Sequence, residues 1–258
     1  NAPVDVDLAS TGGWGEQADH LALARIPLGV LARGVFELRL EVLADGGNVN
    51  RFYGLAKGFR LFESKYEGVT AKVDQTLGWL RATKAATEPF FVFMHTYEVH
   101  EPYLPPDDVA LRFAGDYDGW VKAYCFDEQG KVLKSDIHGF ADLFNQREKL
   151  NQRDTEFLKA LYDAGIVHTD RELRRLFDGL KETGLDQDLL VILVSDHGEE
   201  FREHGDYGHK QLHEEVARVP LIVWGALPFT PARKQIDDIV SLVDVLPTVA
   251  DLMHPPAP

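Results

Sequence analysis

The sequence predicts an α/β fold, a mixed and mostly parallel sheet sandwiched by helices. Three observations predict it. Short apolar runs at residues 189–194 and 90–94, rich in β-branched and aromatic side chains, read as strands buried on both faces. Each run ends abruptly in a cluster of polar residues. Between them a long apolar stripe recurs at helical spacing, from about residue 154 to 183. Strand alternating with helix along the chain implies a sheet covered on both faces.

Taken in order, residues 1–20 are small and polar, with Gly12, Gly13 and Gly15, and read as loop. Residues 21–34 read as a short helix interrupted at Pro27. Residues 35–43 alternate Phe36, Leu38, Leu40 and Val42 with Glu37, Arg39 and Glu41, the period of a half-exposed strand. Residues 45–48 form a turn, and 54–59 a loop. A helix is expected over 68–82, with Val69, Val73, Leu77 and Leu80 on one face. The strand at 90–94 leads into His95, Thr96, Tyr97, Glu98, His100 and Glu101, and then into prolines that fit neither strand nor helix. Residues 107–150 have weak periodicity and no assignable role, with a turn at 116–120. The helix over 154–183 closes at Gly184, a C-cap. After the strand at 189–194, a short helix is expected at 212–218 and a third buried strand at 219–224. A short strand at 236–240 and a helix over 244–253, with Pro247 in its first turn, end the chain.

Composition narrows the function. The chain has 258 residues, of which 45% are hydrophobic, enough to bury a sizeable core. A formal net charge of −15 argues against a nucleic-acid binder and against docking on an anionic membrane. An anionic substrate stays open, because a bound metal reverses the local field. Cys125 is the single cysteine, so no intramolecular disulfide forms. Arg25, Pro27, Arg33, Glu37, Arg39 and Glu41 exclude a membrane span over 21–43, and no signal-peptide pattern is read at the amino end.

The strand at 189–194 runs straight into Ser195, Asp196, His197, Gly198, Glu199 and Glu200. Open α/β sheets place their ligands at the carboxyl ends of strands. A carboxylate and an imidazole there can hold a divalent cation. Gly198 lets the chain turn away without a side chain. His204, His209 and Lys210 follow. His100, after the second apolar run, reads equally well as a catalytic group or as a surface histidine of an ordinary loop.

Four stretches taken together resemble a known family. They are FFVFMHTYEVHEPYLPP (90–106), LYDAGIVHTDRELRRLFDGLKETG (161–184), VILVSDHGEEFREHGDYGHKQLHEEVARVPLIVWG (191–225) and SLVDVLPTVADLM (241–253). In wording, order and spacing the chain resembles the sulfatase family of the alkaline-phosphatase superfamily. The resemblance covers residues 46–258, a sulfatase-like α/β domain. Residues 1–45 do not share it, and are expected to be a divergent or out-of-frame stretch or to mark lost upstream sequence.

The resemblance implies hydrolysis of small-molecule or glycan sulfate esters with a formylglycine nucleophile and a calcium ion. Asp196 and His197 match the later of two metal-binding pairs. His100, in His-x-Pro-Tyr, matches the sulfate-contacting histidine. His209 and Lys210 both fall where the family places a basic residue near the leaving oxygen, and His204 is a weaker match. An imidazole ligand is unusual for calcium, so manganese or zinc stays possible. The chain departs from the family at the nucleophile: no C/S-x-P-x-R occurs, and no strand ends in the first Asp-Asp pair. Two further readings therefore stand beside the sulfatase. One is a metal-dependent phosphodiesterase or phosphoryl transferase of the same superfamily, favoured by the histidine count. The other is a non-catalytic sulfatase-like remnant.

Overall fold

The computed structural model describes residues 20–25, 39–45, 49–83, 89–133, 137–187, 189–225 and 235–253. Its strands are β1 (His20–Arg25), β2 (Arg39–Ala44), β3 (Leu61–Ser64), β4 (Phe90–His95), β5 (Leu189–Val194), β6 (Glu200–Phe201), β7 (Tyr207–Gly208) and β8 (Leu221–Gly225). Its helices are α1 (Gly68–Thr83), α2 (Asp107–Ala114), α3 (Ile137–Phe144), α4 (Gln152–Thr183), α5 (Glu214–Ala217) and α6 (Val245–Met253). Six strands form one sheet in the order β3-β2-β4-β1-β5-β8. β2 runs parallel to β3 and β4, while β1 runs antiparallel to β4 and β5. β8 is antiparallel to β5. Thus β2, β3, β4 and β5 point one way, and the carboxyl ends of β2, β4 and β5 share one edge. This is the mixed α/β sheet that the sequence predicts.

Apolar side chains alternate across the sheet because successive residues of a strand face opposite sides. Phe90, Val92 and Met94 of β4 and Leu189, Val191 and Leu193 of β5 pack under α1 and α4. Leu190 and Ile192 turn to the other face, where Val249 of α6 covers them. A second cluster lies off the sheet. There Phe157, Leu158, Leu161 and Tyr162, from the first half of α4, pack with Tyr103, Tyr117, Phe126 and Phe201.

α4 starts where its sequence can cap it. The Asn151 side chain accepts from the Arg153 and Asp154 amides, and Asp154 accepts from the Asn151 amide, so two orphan donors are satisfied reciprocally. Buried Asp154 also accepts from the Tyr117 hydroxyl at 2.5 Å and the Trp120 indole at 3.2 Å. This gives residues 107–150 a role invisible in their periodicity: they roof the start of α4. Gly184, at φ 70°, ends the helix in the left-handed region.

Several elements differ from expectation. Residues 20–25 are a strand, not a helix, because the chain there pairs on both sides, with β4 and β5. The expected helix beyond residue 25 lies outside the described residues. β2 is buried rather than half exposed, since both sheet faces are covered; Glu41 goes inside with Arg39 at 2.5 Å. β8 is a partly exposed edge strand, its Val223 47% exposed, rather than a third buried one. The expected helix at 212–218 shrinks to one turn. Residues 236–240 form no strand, and Ile239 and Val240 are exposed. Among the described residues no helix is long and apolar enough to cross a membrane.

Leu176 is fully buried where α4 meets the sheet cluster. Leu176→Ala is expected to lower the unfolding free energy by about 2–5 kcal/mol through lost transfer energy and a residual cavity. A urea titration reads this as a lower midpoint at unchanged slope.

Candidate active site

The carboxyl edge gathers the exits of β2, β4 and β5. β2 ends in Asp45, whose carboxylate is fully buried and accepts four hydrogen bonds. One oxygen takes the Glu67 and Gly68 amides, each at 3.0 Å, at the start of α1. The other takes the Thr96 hydroxyl at 2.9 Å and the Tyr97 amide at 3.1 Å, just after β4. Thr96 Oγ1 in turn accepts the Glu98 amide at 3.1 Å, and the His100 amide donates to the Tyr97 carbonyl at 3.0 Å. A chain of short-range bonds thus leads from β2 to His100. The His100 ring is fixed by its Nδ1, 2.7 Å from the Glu101 carbonyl oxygen.

β5 delivers the second group. The Ser195 hydroxyl donates to the His197 carbonyl at 2.7 Å, and Asp196 accepts the His197 amide at 3.0 Å. Gly198 then packs backbone against backbone. Its amide donates to the Val216 carbonyl at 2.7 Å, and a Cβ there would lie 2.0 Å from the Glu215 carbonyl oxygen. The small residue is required by this close approach.

The chain next makes a two-stranded hairpin, β6 against β7, absent from the sequence reading. Glu200 Oε1 holds its turn by accepting the His204 and Asp206 amides at 3.0 and 3.1 Å. The hairpin returns His209 to the site, its ring stacked on His197 with centroids 4.0 Å apart. The His100 ring lies 5.1 Å from His209 and 6.1 Å from His197.

Electrostatics favour a cation or a protonated imidazole here. Glu199, its side chain fully buried, lies 3.2 Å from His209 Nδ1. That hydrogen bond, with added attraction from Glu101 and Asp196, outweighs burial and holds the His209 pKa above its ordinary value. Burial, then repulsion from Glu199, pushes the Glu101 carboxyl up. Beneath them Tyr103 is fully buried, and burial followed by the field of Glu199 and Glu101 raises its hydroxyl well above the usual phenol range.

The residues singled out in the sequence separate here. His100, His197 and His209 come together. Asp196 is exposed at the rim, with Oδ1 3.7 Å from His197 Nε2. Lys210 is exposed, next along the chain from the stacked pair. His204 turns away, stacked on His213 at 3.7 Å and 3.2 Å from Glu215 Oε2. Sequence reasoning missed Asp45 and Glu199. Asp45 carried the signal used for Asp196, an acid directly after an apolar strand. Glu199 gave none, since its burial depends on the hairpin.

Two sets of side chains offer converging donors among the described residues: His100, His197 and His209, and Glu101, Glu199 and His209. Calcium takes six to eight oxygens. The described residues do not assemble such a shell around Asp196 and His197; the donors present are richer in imidazole nitrogen.

Comparison with known proteins bears on the chemistry. The Sulfatase family model matches residues 44–255. Over 205 residues the chain is 29% identical to arylsulfatase K of Canis lupus familiaris, covering 74% of this chain and 37% of that protein. It is 26% identical to an arylsulfatase of Clostridium perfringens over 193 residues, 70% of this chain and 37% of the relative. A crystal structure described as the sulfatase yidJ of Bacteroides fragilis superposes with a TM-score of 0.50 at 24% identity, covering 74% of this chain and 37% of that one, a likeness of fold. The chain spans little more than a third of the length of these relatives.

The Glu199–His209 pair gives a prediction for pH. Because the folded pKa of His209 is raised, the pair stabilises the fold fully below the ordinary histidine pKa, and that contribution is lost as pH rises through the folded value. The His209 ring signals in NMR should titrate above the ordinary imidazole midpoint, and Glu199→Gln should bring the midpoint down. A midpoint unmoved by that substitution would remove the pairing.

Proposed function

The chain belongs to the sulfatase family, and on that premise we propose that it hydrolyses sulfate esters, small aryl or glycan sulfates, rather than acting on nucleic acid or membrane. Sulfatases generally use a divalent metal. In this reading Asp196 and His197 supply part of its shell, with calcium the family's ion and manganese or zinc the alternatives. When bound, the cation would neutralise charge on the sulfate oxygens. Among the described residues, Asp196 and His197 are not joined by the further oxygens that a calcium shell needs. Residues 46–258 carry the sulfatase-like portion, and β1 and β2 from the first 45 residues complete the sheet beneath it.

The carrying observation is the convergence of His100 and His209 beside His197 at the carboxyl edge of β4 and β5. His100, its Nδ1 engaged with a backbone carbonyl, would as the imidazolium donate from Nε2 to a sulfate oxygen. As an attacking oxygen bonds to sulfur and the S–O ester bond breaks, charge builds on the departing alkoxide and His209 donates the proton to it. Glu199 favours the protonated ring, which suits an acid at neutral pH. Exposed Lys210 adds positive potential where the anion enters. The family's nucleophile motif, C/S-x-P-x-R, does not occur in the 258 residues, so these groups account for binding and leaving-group protonation and not for attack.

The histidine cluster favours a second reading, a metal-dependent phosphodiesterase of the same superfamily. Turnover of 4-nitrophenyl sulfate against bis(4-nitrophenyl) phosphate separates the two. The sulfate ester is expected to be preferred, with His209→Ala lowering kcat about 10²–10⁴-fold. Preference for the phosphodiester selects the second reading. Turnover of neither, at any divalent metal, leaves a non-catalytic remnant. Asp196→Ala is expected to abolish calcium or manganese binding in calorimetry at an unchanged melting temperature; unchanged affinity would remove Asp196 from the site.

A further inference from the structure

The three clustered imidazoles share a property that sulfate binding does not require. His100 Nδ1 lies 2.7 Å from the Glu101 carbonyl oxygen, and His197 Nδ1 lies 2.9 Å from the Gly198 carbonyl oxygen. His209 Nδ1 lies 3.2 Å from Glu199 Oε1. Backbone carbonyls and ionised carboxylates only accept, so in each ring Nδ1 is the protonated nitrogen. In the neutral ring Nε2 then keeps a bare lone pair. One ring nitrogen from each histidine lies within 4.8 Å of the other two. Metal-binding histidines have this arrangement: the far N–H is held by a carbonyl or carboxylate, which fixes the tautomer and strengthens the ligand.

We infer that His100, His197 and His209 form a nitrogen site for a borderline transition-metal ion, zinc foremost, which overlaps at His197 the cation site proposed at Asp196 and His197. Zinc accepts three imidazoles and leaves a fourth position for water or a ligand. Calcium does not favour such a set. The surroundings suit a dication: the Glu199 side chain is fully buried behind His209, and Asp196 Oδ1 lies 3.7 Å from His197 Nε2. Reaching zinc's bond length of about 2.0–2.1 Å asks for side-chain rotation and no change of strand register. The inference does not rest on sulfate-ester turnover. Bound zinc takes up both His100 and His209, so zinc opposes their roles in hydrolysis rather than serving them. His197 is shared, so zinc and the Asp196 cation compete.

The test is calorimetric titration of zinc chloride into the metal-free 258-residue chain. One zinc ion is expected to bind, at least tenfold more tightly than calcium. His100→Ala and His209→Ala should each weaken it at least about tenfold, and Glu199→Gln by about 10–100-fold. His204→Ala, which alters the separate His204–His213 pair, should leave it unchanged, and Asp196→Ala should leave zinc bound while calcium is lost. Cobalt bound in the same place should show the intense visible absorption of a tetrahedral nitrogen site, and lose it in His209→Ala. Zinc affinity indifferent to His100 and His209, or lost with His204, overturns the proposal. Should an alanine variant fail to fold, the more conservative His100→Gln decides, because His100 is absent from the set of Glu101, Glu199 and His209: weaker binding sustains the site, and unchanged binding overturns it. Absent turnover with intact zinc binding would count against the sulfatase reading alone.

Discussion

The Asp45 carboxylate is the constraint on which the edge of the sheet depends. A buried charge is tolerable only when its oxygens are fully engaged, and Asp45 accepts four hydrogen bonds from two separate segments. One pair of donors opens α1; the other opens the segment that carries His100. Two amides at the start of a helix also offer a favourable dipole to the anion. The same side chain therefore sets where α1 begins and where the exit of β4 turns. Without it the start of α1 would lose the acceptor for two of its amides, and the path to His100 would lose its first anchor.

Around that anchor the site is assembled from opposite kinds of support. His100 depends on a relay of turns after β4. His197 depends on a backbone contact so close that only glycine fits next to it. His209 is brought back by a hairpin whose turn is held by Glu200. Each ring has one nitrogen tied to an oxygen before any ligand arrives. Such preorganisation reduces the ordering entropy that binding would otherwise cost.

The sequence made the centre of the fold legible and left its margins dark. β4 and β5 were readable as short apolar runs packed on the sheet, and α4 because its apolar stripe keeps one helical period over 32 residues. β1 was not, since six residues next to a proline carry little periodic signal and their pairing on both sides is a tertiary fact. The alternation around Glu41 misled for a related reason: Arg39 pairs with the carboxylate, so a charged residue can lie inside a covered sheet. The exposed stretch 236–240 has strand-like composition and no strand partner among the described residues. At the site, His100, His197 and His209 were each visible as residue types after strands. Their convergence was not, because it depends on the β6–β7 hairpin, two residues a side, below the length at which periodicity speaks. Lys210 and His209 were inseparable as letters; burial distinguishes them, one half-buried against Glu199 and the other in solvent.

α4 links the two halves of the interior. Its first turns, through Phe157, Leu158 and Leu161, belong to the off-sheet cluster. Its last turns, through Leu173, Leu176 and Leu180, belong to the core on the sheet. At about 1.5 Å per residue its 32 residues form a rod roughly 48 Å long. Neither cluster can open without exposing apolar surface on this shared rod. Amide protons in both clusters should therefore exchange with solvent through one cooperative opening, and a single helix makes two packed regions behave as one unit in time.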